Sequence, residues 1–66
     1  MKVFVNGEVK QVPDGIGLGE LLERLSMPDK RVAVELNREV IPKTRWAGTP
    51  LADEDKLEII HFVGGG

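Results

Sequence analysis

The sequence predicts an α+β domain in which a mixed sheet of four to five strands packs on one main helix. Three observations carry that expectation. Asn6-Gly7 separates two short segments of strand-like composition. Residues 18–25 switch to helical spacing. Alternation of apolar and polar residues then returns at 32–36 and again at 56–63.

The first segment, residues 1–6, reads as a strand, with Met1, Val3 and Val5 on one side and Lys2, Phe4 and Asn6 on the other. Asn-Gly is the strongest short hairpin signal, because both residues tolerate positive φ. Residues 8–12 therefore pair antiparallel with the first strand. Val9 and Val12 are not two apart, and a bulge or an early strand end would account for their spacing. Pro13-Asp14-Gly15 is turn chemistry. Leu18, Leu21, Leu22 and Leu25 then recur at i, i+3, i+4 and i+7, with Glu20, Glu23 and Arg24 between them. That spacing predicts an amphipathic helix of about three turns. Gly17 is a passable N-cap, Gly19 costs about 1 kcal/mol relative to Ala, and Pro28 ends the helix near Ser26 or Met27.

Val32, Val34 and Leu36 next face one side of a strand, with Ala33 and Glu35 on the other. Asn37-Arg38-Glu39 reads as a tight turn into a short strand, Val40-Ile41, which Pro42 stops. Thr44 is placed to cap a single helical turn that carries Trp46, itself expected as a lid on the core edge. Asp53-Glu54-Asp55 is a polar turn. In the last strand, residues 56–63, Leu57, Ile59, His61 and Val63 oppose Glu58, Ile60 and Phe62. One helix covers only one sheet face, and if the first and last strands are central neighbours they must be parallel, joined through it. That ββαββ order is the β-grasp, or ubiquitin-like, arrangement, expected as a single domain over residues 1–66.

Composition narrows the function. The chain has 66 residues, 41% of them hydrophobic and 30% charged, which is globular composition. Cysteine is absent, which excludes a disulfide scaffold and a thiolate metal site. No apolar run reaches the roughly 20 residues of a membrane helix, and the N-terminus lacks a signal-peptide core. A cytoplasmic protein with no membrane association is expected. A net charge of −2 argues against nucleic-acid binding. With one histidine, His61, no tyrosine and little room for a pocket, catalysis by the chain itself is not expected. His61 is expected to be structural or partly exposed. No carboxylate spacing compels a metal site.

The most informative feature is the end, Phe62-Val63-Gly64-Gly65-Gly66. Residues without side chains can thread a narrow channel, because glycine lets another backbone approach closely. Residues 64–66 are thus expected to form a flexible tail that presents a carboxylate to a partner's active site. Phe4, Ile60 and Phe62 fall on the sheet face opposite the helix, beside that tail. Such a patch suggests partner binding.

Across its whole length the chain resembles the thiamin-biosynthesis sulfur-carrier family. The resemblance rests on residues 1–8, the leucine helix, Val32-Ala33-Val34-Glu35-Leu36-Asn37, Glu39-Val40-Ile41-Pro42, Arg45-Trp46, Leu57-Glu58-Ile59-Ile60 and the terminal glycines. Glu54 departs from the family, which often has glycine between the two acids. The resemblance implies a protein co-substrate rather than an enzyme. An E1-like adenylating enzyme would use ATP and magnesium to activate the Gly66 carboxylate. A sulfur-donor protein would supply the atom that makes it a thiocarboxylate. Thiazole synthase would accept that sulfur while forming thiazole phosphate. Gly66 carries the chemistry and Gly64 and Gly65 thread the partner. No cofactor or metal would be bound by the chain. Three other readings share the fold: the small subunit of molybdopterin synthase, a modifier conjugated to lysines, and a non-catalytic β-grasp binding module.

Overall fold

The computed structural model describes residues 1–26 and 32–61. The element order is β1 (Lys2–Val5), β2 (Glu8–Gln11), α1 (Leu18–Arg24), β3 (Val32–Leu36), β4 (Glu39–Val40), a 3-10 helix (Lys43–Gly48) and β5 (Lys56–His61). The five strands form one sheet in the order β2-β1-β5-β3-β4. β1 and β5 lie parallel at its centre, with Phe4 beside Lys56 and Val5 beside Leu57. β2 pairs antiparallel with β1, and β3 pairs antiparallel with both β5 and β4. This is the β-grasp topology the sequence predicts.

The hairpins form where asparagine accepts a left-handed backbone. Asn6 and Gly7 have φ of 51° and 85°, and Asn37 and Arg38 have φ of 51° and 73°. Two successive positive values give the primed turn that suits a right-twisted hairpin. Pairing along β1–β2 is one-to-one from Val5↔Glu8 to Lys2↔Gln11. The spacing of Val9 and Val12 therefore needs no bulge. Val12 lies just beyond the strand, where its N–H bonds the Met1 carbonyl at 2.9 Å. Val9 faces away from the helix opposite Phe4, whereas Val12 packs against the core.

α1 is shorter than expected, with seven residues in place of about three turns. Its last backbone bonds run from Leu25 N–H to Leu21 O and from Ser26 N–H to Glu23 O. Ser26 has already turned to φ 55°, which no α-helix continues through. That agrees with the expected end near Ser26 or Met27; Pro28, the residue expected to cause it, lies outside the described residues. Gly17 occupies the N-cap position, as expected, and offers no side-chain bond.

The 3-10 helix corrects the reading of Thr44 as a cap. Arg45 N–H bonds Pro42 O at 2.8 Å, so the first turn opens at Pro42, two residues earlier. The preset φ of proline suits that position. At the other end the Thr49 hydroxyl donates to Arg45 O at 2.6 Å. Leu18 N–H to Thr49 O and Leu51 N–H to Ile16 O then fasten this segment to the start of α1.

The core lies between α1 and the inner sheet face. Leu18, Leu21, Val3, Val34 and Leu57 are essentially sealed from solvent, joined by Val5, Leu22, Ile41 and Ile59. Each fully buried aliphatic side chain contributes about 1.5–3 kcal/mol. Trp46 closes one edge as predicted, and its indole N–H donates to Ile41 O at 2.9 Å. No polar side chain is buried among the described residues.

Candidate functional site

Everything the sequence assigned to the reacting end (Gly64, Gly65 and Gly66, with Phe62) lies outside the described residues. The fold does fix the strand that leads there. β5 is central, flanked by β1 and β3, and its inner face is anchored by Leu57 and Ile59. Its pairing with β3 runs unbroken from Leu57↔Leu36 to His61↔Val32. Gly66 is the fifth residue beyond that last paired position. Fully extended, five residues reach about 17 Å.

The open sheet face is less continuous than the sequence suggests. Phe4 and Ile60 do share it, because Phe4 stands beside Lys56 and Ile60 follows Lys56 by an even step. Four residues of strand still separate them, about 13 Å. Phe4 is half-buried, with Val9 opposite and the Lys2 ammonium 5.8 Å from its ring centre. Ile60 is 50% exposed and faces Ala33. Lys56 and Glu58 occupy the positions between. The structure thus separates Phe4 from Ile60 and leaves Ile60 as the exposed apolar residue nearest the tail. Val9 and Val40, also exposed, escaped the sequence reading. Their signal was an apolar residue on an edge strand, which only the strand order reveals.

His61 ends β5 on the surface. Among the described residues no group of three or more His, Asp or Glu side chains is placed to hold a metal ion. Nor is any helix there long and apolar enough to cross a membrane. An open groove of about 880 Å³ runs between α1 and the 3-10 helix, lined by Gly17, Gly19, Leu22, Trp46 and Gly48. Its walls carry Glu20, Glu23 and Lys43 but no nucleophile paired with a base.

A five-stranded β-grasp sheet with β5 at its centre, in a chain with glycines at 64–66, fits the class of small ubiquitin-like proteins. Comparison with known proteins makes the assignment narrower. The model of the ThiS family matches residues 3–66. The sulfur carrier protein ThiS of Bacillus subtilis is 43% identical over 63 residues, covering 94% of this chain and 96% of that protein. A crystal structure of the thiamine biosynthesis protein ThiS from Geobacter metallireducens superposes with a TM-score of 0.86. It is 35% identical and covered in full, as is this chain. A thiazole synthase of Paramagnetospirillum magneticum is 41% identical over all 66 residues. The chain spans only 20% of the length of that protein. The chain belongs to the ThiS family.

Proposed function

We propose that this chain is a sulfur carrier protein in thiamin biosynthesis, consumed and regenerated as a co-substrate. The observation that carries the reading is the family match extending to residue 66. Residues 1–66 act as one unit, with 64–66 as the reactive tail. The Gly66 carboxylate is inert toward acyl transfer until activated. An E1-like enzyme, using ATP and magnesium, joins it to AMP as a mixed anhydride and releases pyrophosphate. Sulfur from a donor protein then displaces AMP and leaves a thiocarboxylate. Thiazole synthase takes that sulfur, and the tail returns to a carboxylate. Gly64 and Gly65 let the chain pass through the partner's channel, since a Cβ would widen it. Ile60, and on sequence grounds Phe62, form the docking side, with Phe4 standing apart beside Lys56. The likeness to a longer thiazole synthase supports that partner, because a carrier-like region there lies within the acceptor's own chain. The exposed site of action is the cytoplasm.

Intact mass of the native-ended chain tests this. The chain is incubated with ATP, magnesium, a cognate activating enzyme and a sulfide source. The expected result is the mass gain of replacing one oxygen by sulfur, mapped to Gly66. Deleting Gly66, or extending the chain beyond it, should abolish the gain and leave the fold unchanged. Normal charging of the extended chain overturns the proposal.

A further inference from the structure

The Asn6-Gly7 turn does more than reverse the chain. The parallel ladder between β1 and β5 advances by Phe4 N–H to Asp55 O at 2.8 Å and Asn6 N–H to Leu57 O at 2.9 Å. The next bond in that series would join Ile59 N–H to the main-chain carbonyl of residue 6. Asn6 has turned to φ 51° for the hairpin, and its side chain takes that place instead. Ile59 N–H donates to Asn6 Oδ1 at 2.7 Å, and Asn6 Nδ2 donates to Ile59 O at 3.2 Å. One primary amide thus satisfies both backbone groups of Ile59 on that edge of β5.

Asparagine followed by glycine is also the pair most open to self-attack. Gly7 has no Cβ to shield its amide, and even an added Cβ would meet nothing within 4 Å. The Gly7 nitrogen loses its proton and attacks Asn6 Cγ. The Cγ–Nδ2 bond breaks, and ammonia leaves with the proton. The resulting five-membered imide is opened by water at either carbonyl, giving an aspartyl or an isoaspartyl residue at position 6.

We propose that Asn6-Gly7 is a modification site of this kind, gated by the fold. In the native chain the Asn6 amide is held on Ile59, and cyclisation needs that amide released. In the opened chain nothing holds it. The conversion is one-way, because the ammonia is lost to solvent, and neither product can restore the pair of bonds. A carboxylate has no N–H to give the Ile59 carbonyl and sets a negative oxygen against it. The isoaspartyl form also lengthens a two-residue turn whose length fixes the β1–β2 register. The modified chain is therefore loosened along the half of β5 that leads to the C-terminal end. Asn37, at the other hairpin, likewise bonds β5 through its side chain, at Lys56 N–H. It is followed by Arg38, whose side chain crowds the attacking nitrogen. This inference does not depend on the sulfur-carrier reading.

The test uses the unmodified chain in mildly alkaline buffer, with and without denaturing urea. Peptide mass spectrometry follows exchange of NH2 for OH at residue 6, with fragmentation that separates the aspartyl and isoaspartyl products. Conversion at residue 6 should be about 10–100-fold slower in the folded chain, the range expected when two hydrogen bonds must open first. In urea, residue 6 should outpace residue 37. Equal rates at residue 6 in folded and unfolded chain overturn the gate. A second measurement reads the consequence. In Asn6→Asp the Ile59 amide should exchange with solvent at least about 5-fold faster, with Val34 in the neighbouring strand little changed. Native-like exchange at Ile59 in that variant overturns the proposed loosening.

Discussion

Trp46→Phe separates a structural tryptophan from a docking one. The indole N–H donates to Ile41 O at 2.9 Å, and both residues are buried. Phenylalanine keeps much of the ring but no donor. Removing the donor from a buried carbonyl costs about 1–3 kcal/mol. The smaller ring leaves unfilled space, which adds about 1 kcal/mol. The expected loss is about 2–4 kcal/mol. A domain of this length has a total stability of roughly 3–10 kcal/mol. At about 4–8 °C per kcal/mol for a domain of this size, the melting temperature should fall by at least about 8 °C. Far-ultraviolet circular dichroism is the assay, since the chain has no other tryptophan to report by fluorescence. Charging with sulfur, measured well below the lowered melting temperature, should stay near the native rate. A melting temperature within about 2 °C of the native value, under 0.5 kcal/mol on the same scale, would refute the structural role. Lost charging with unchanged stability would point to partner contact instead.

Three other expectations follow from particular contacts. Ile60→Asp should weaken association with the activating enzyme at least about 10-fold in a binding titration, yet cost less than about 1 kcal/mol in urea unfolding, because half the residue is exposed already. Glu54→Gly should stabilise the domain by about 0.5–1 kcal/mol in the same assay. It relieves a left-handed φ of 69° and gives up only an exposed contact with Lys2 at 3.7 Å. Gly19→Ala should raise the melting temperature by a few degrees, about 0.5–1 kcal/mol, since the new Cβ would meet Ala47 at an ordinary 3.6 Å.

A glycine between Asp53 and Asp55 would suit this fold for a physical reason. The turn needs a left-handed residue there, and Asp53 and Asp55 hold it on both sides. Asp53 Oδ1 accepts Lys2 N–H at 2.8 Å. Asp55 Oδ2 accepts Ala52 N–H at 2.7 Å, and its Oδ1 accepts the Asn37 amide at 3.0 Å. Glu54 is carried in that conformation by its neighbours rather than by its own preference. Stability can thus be added at a turn remote from the reacting end.

Local chemistry wrote much of this protein directly into its sequence. Asn6-Gly7 named a hairpin because the turn's dihedral angles suit those two residues. The spacing of Leu18, Leu21 and Leu22 named the helix face, because a 3.6-residue period puts them on one side. Alternation in β3 and β5 named Val34, Leu57 and Ile59 as core. Long-range packing decided the rest. Thr44 looked like a cap until the chain's path through Pro42 set where the turn begins. The helix does end near Ser26, as the sequence led one to expect, but through a left-handed φ that no periodicity signals. Phe4 and Ile60 looked like one patch because alternation tells the face of a strand but not its offset from a neighbour. That offset belongs to the pairing of β1 with β5, more than 50 residues apart in the chain. The same pairing placed the Asn6 amide against Ile59, a contact with no trace in either residue's local sequence. Sequence period fixes which way a side chain points; only the closed sheet fixes what it meets.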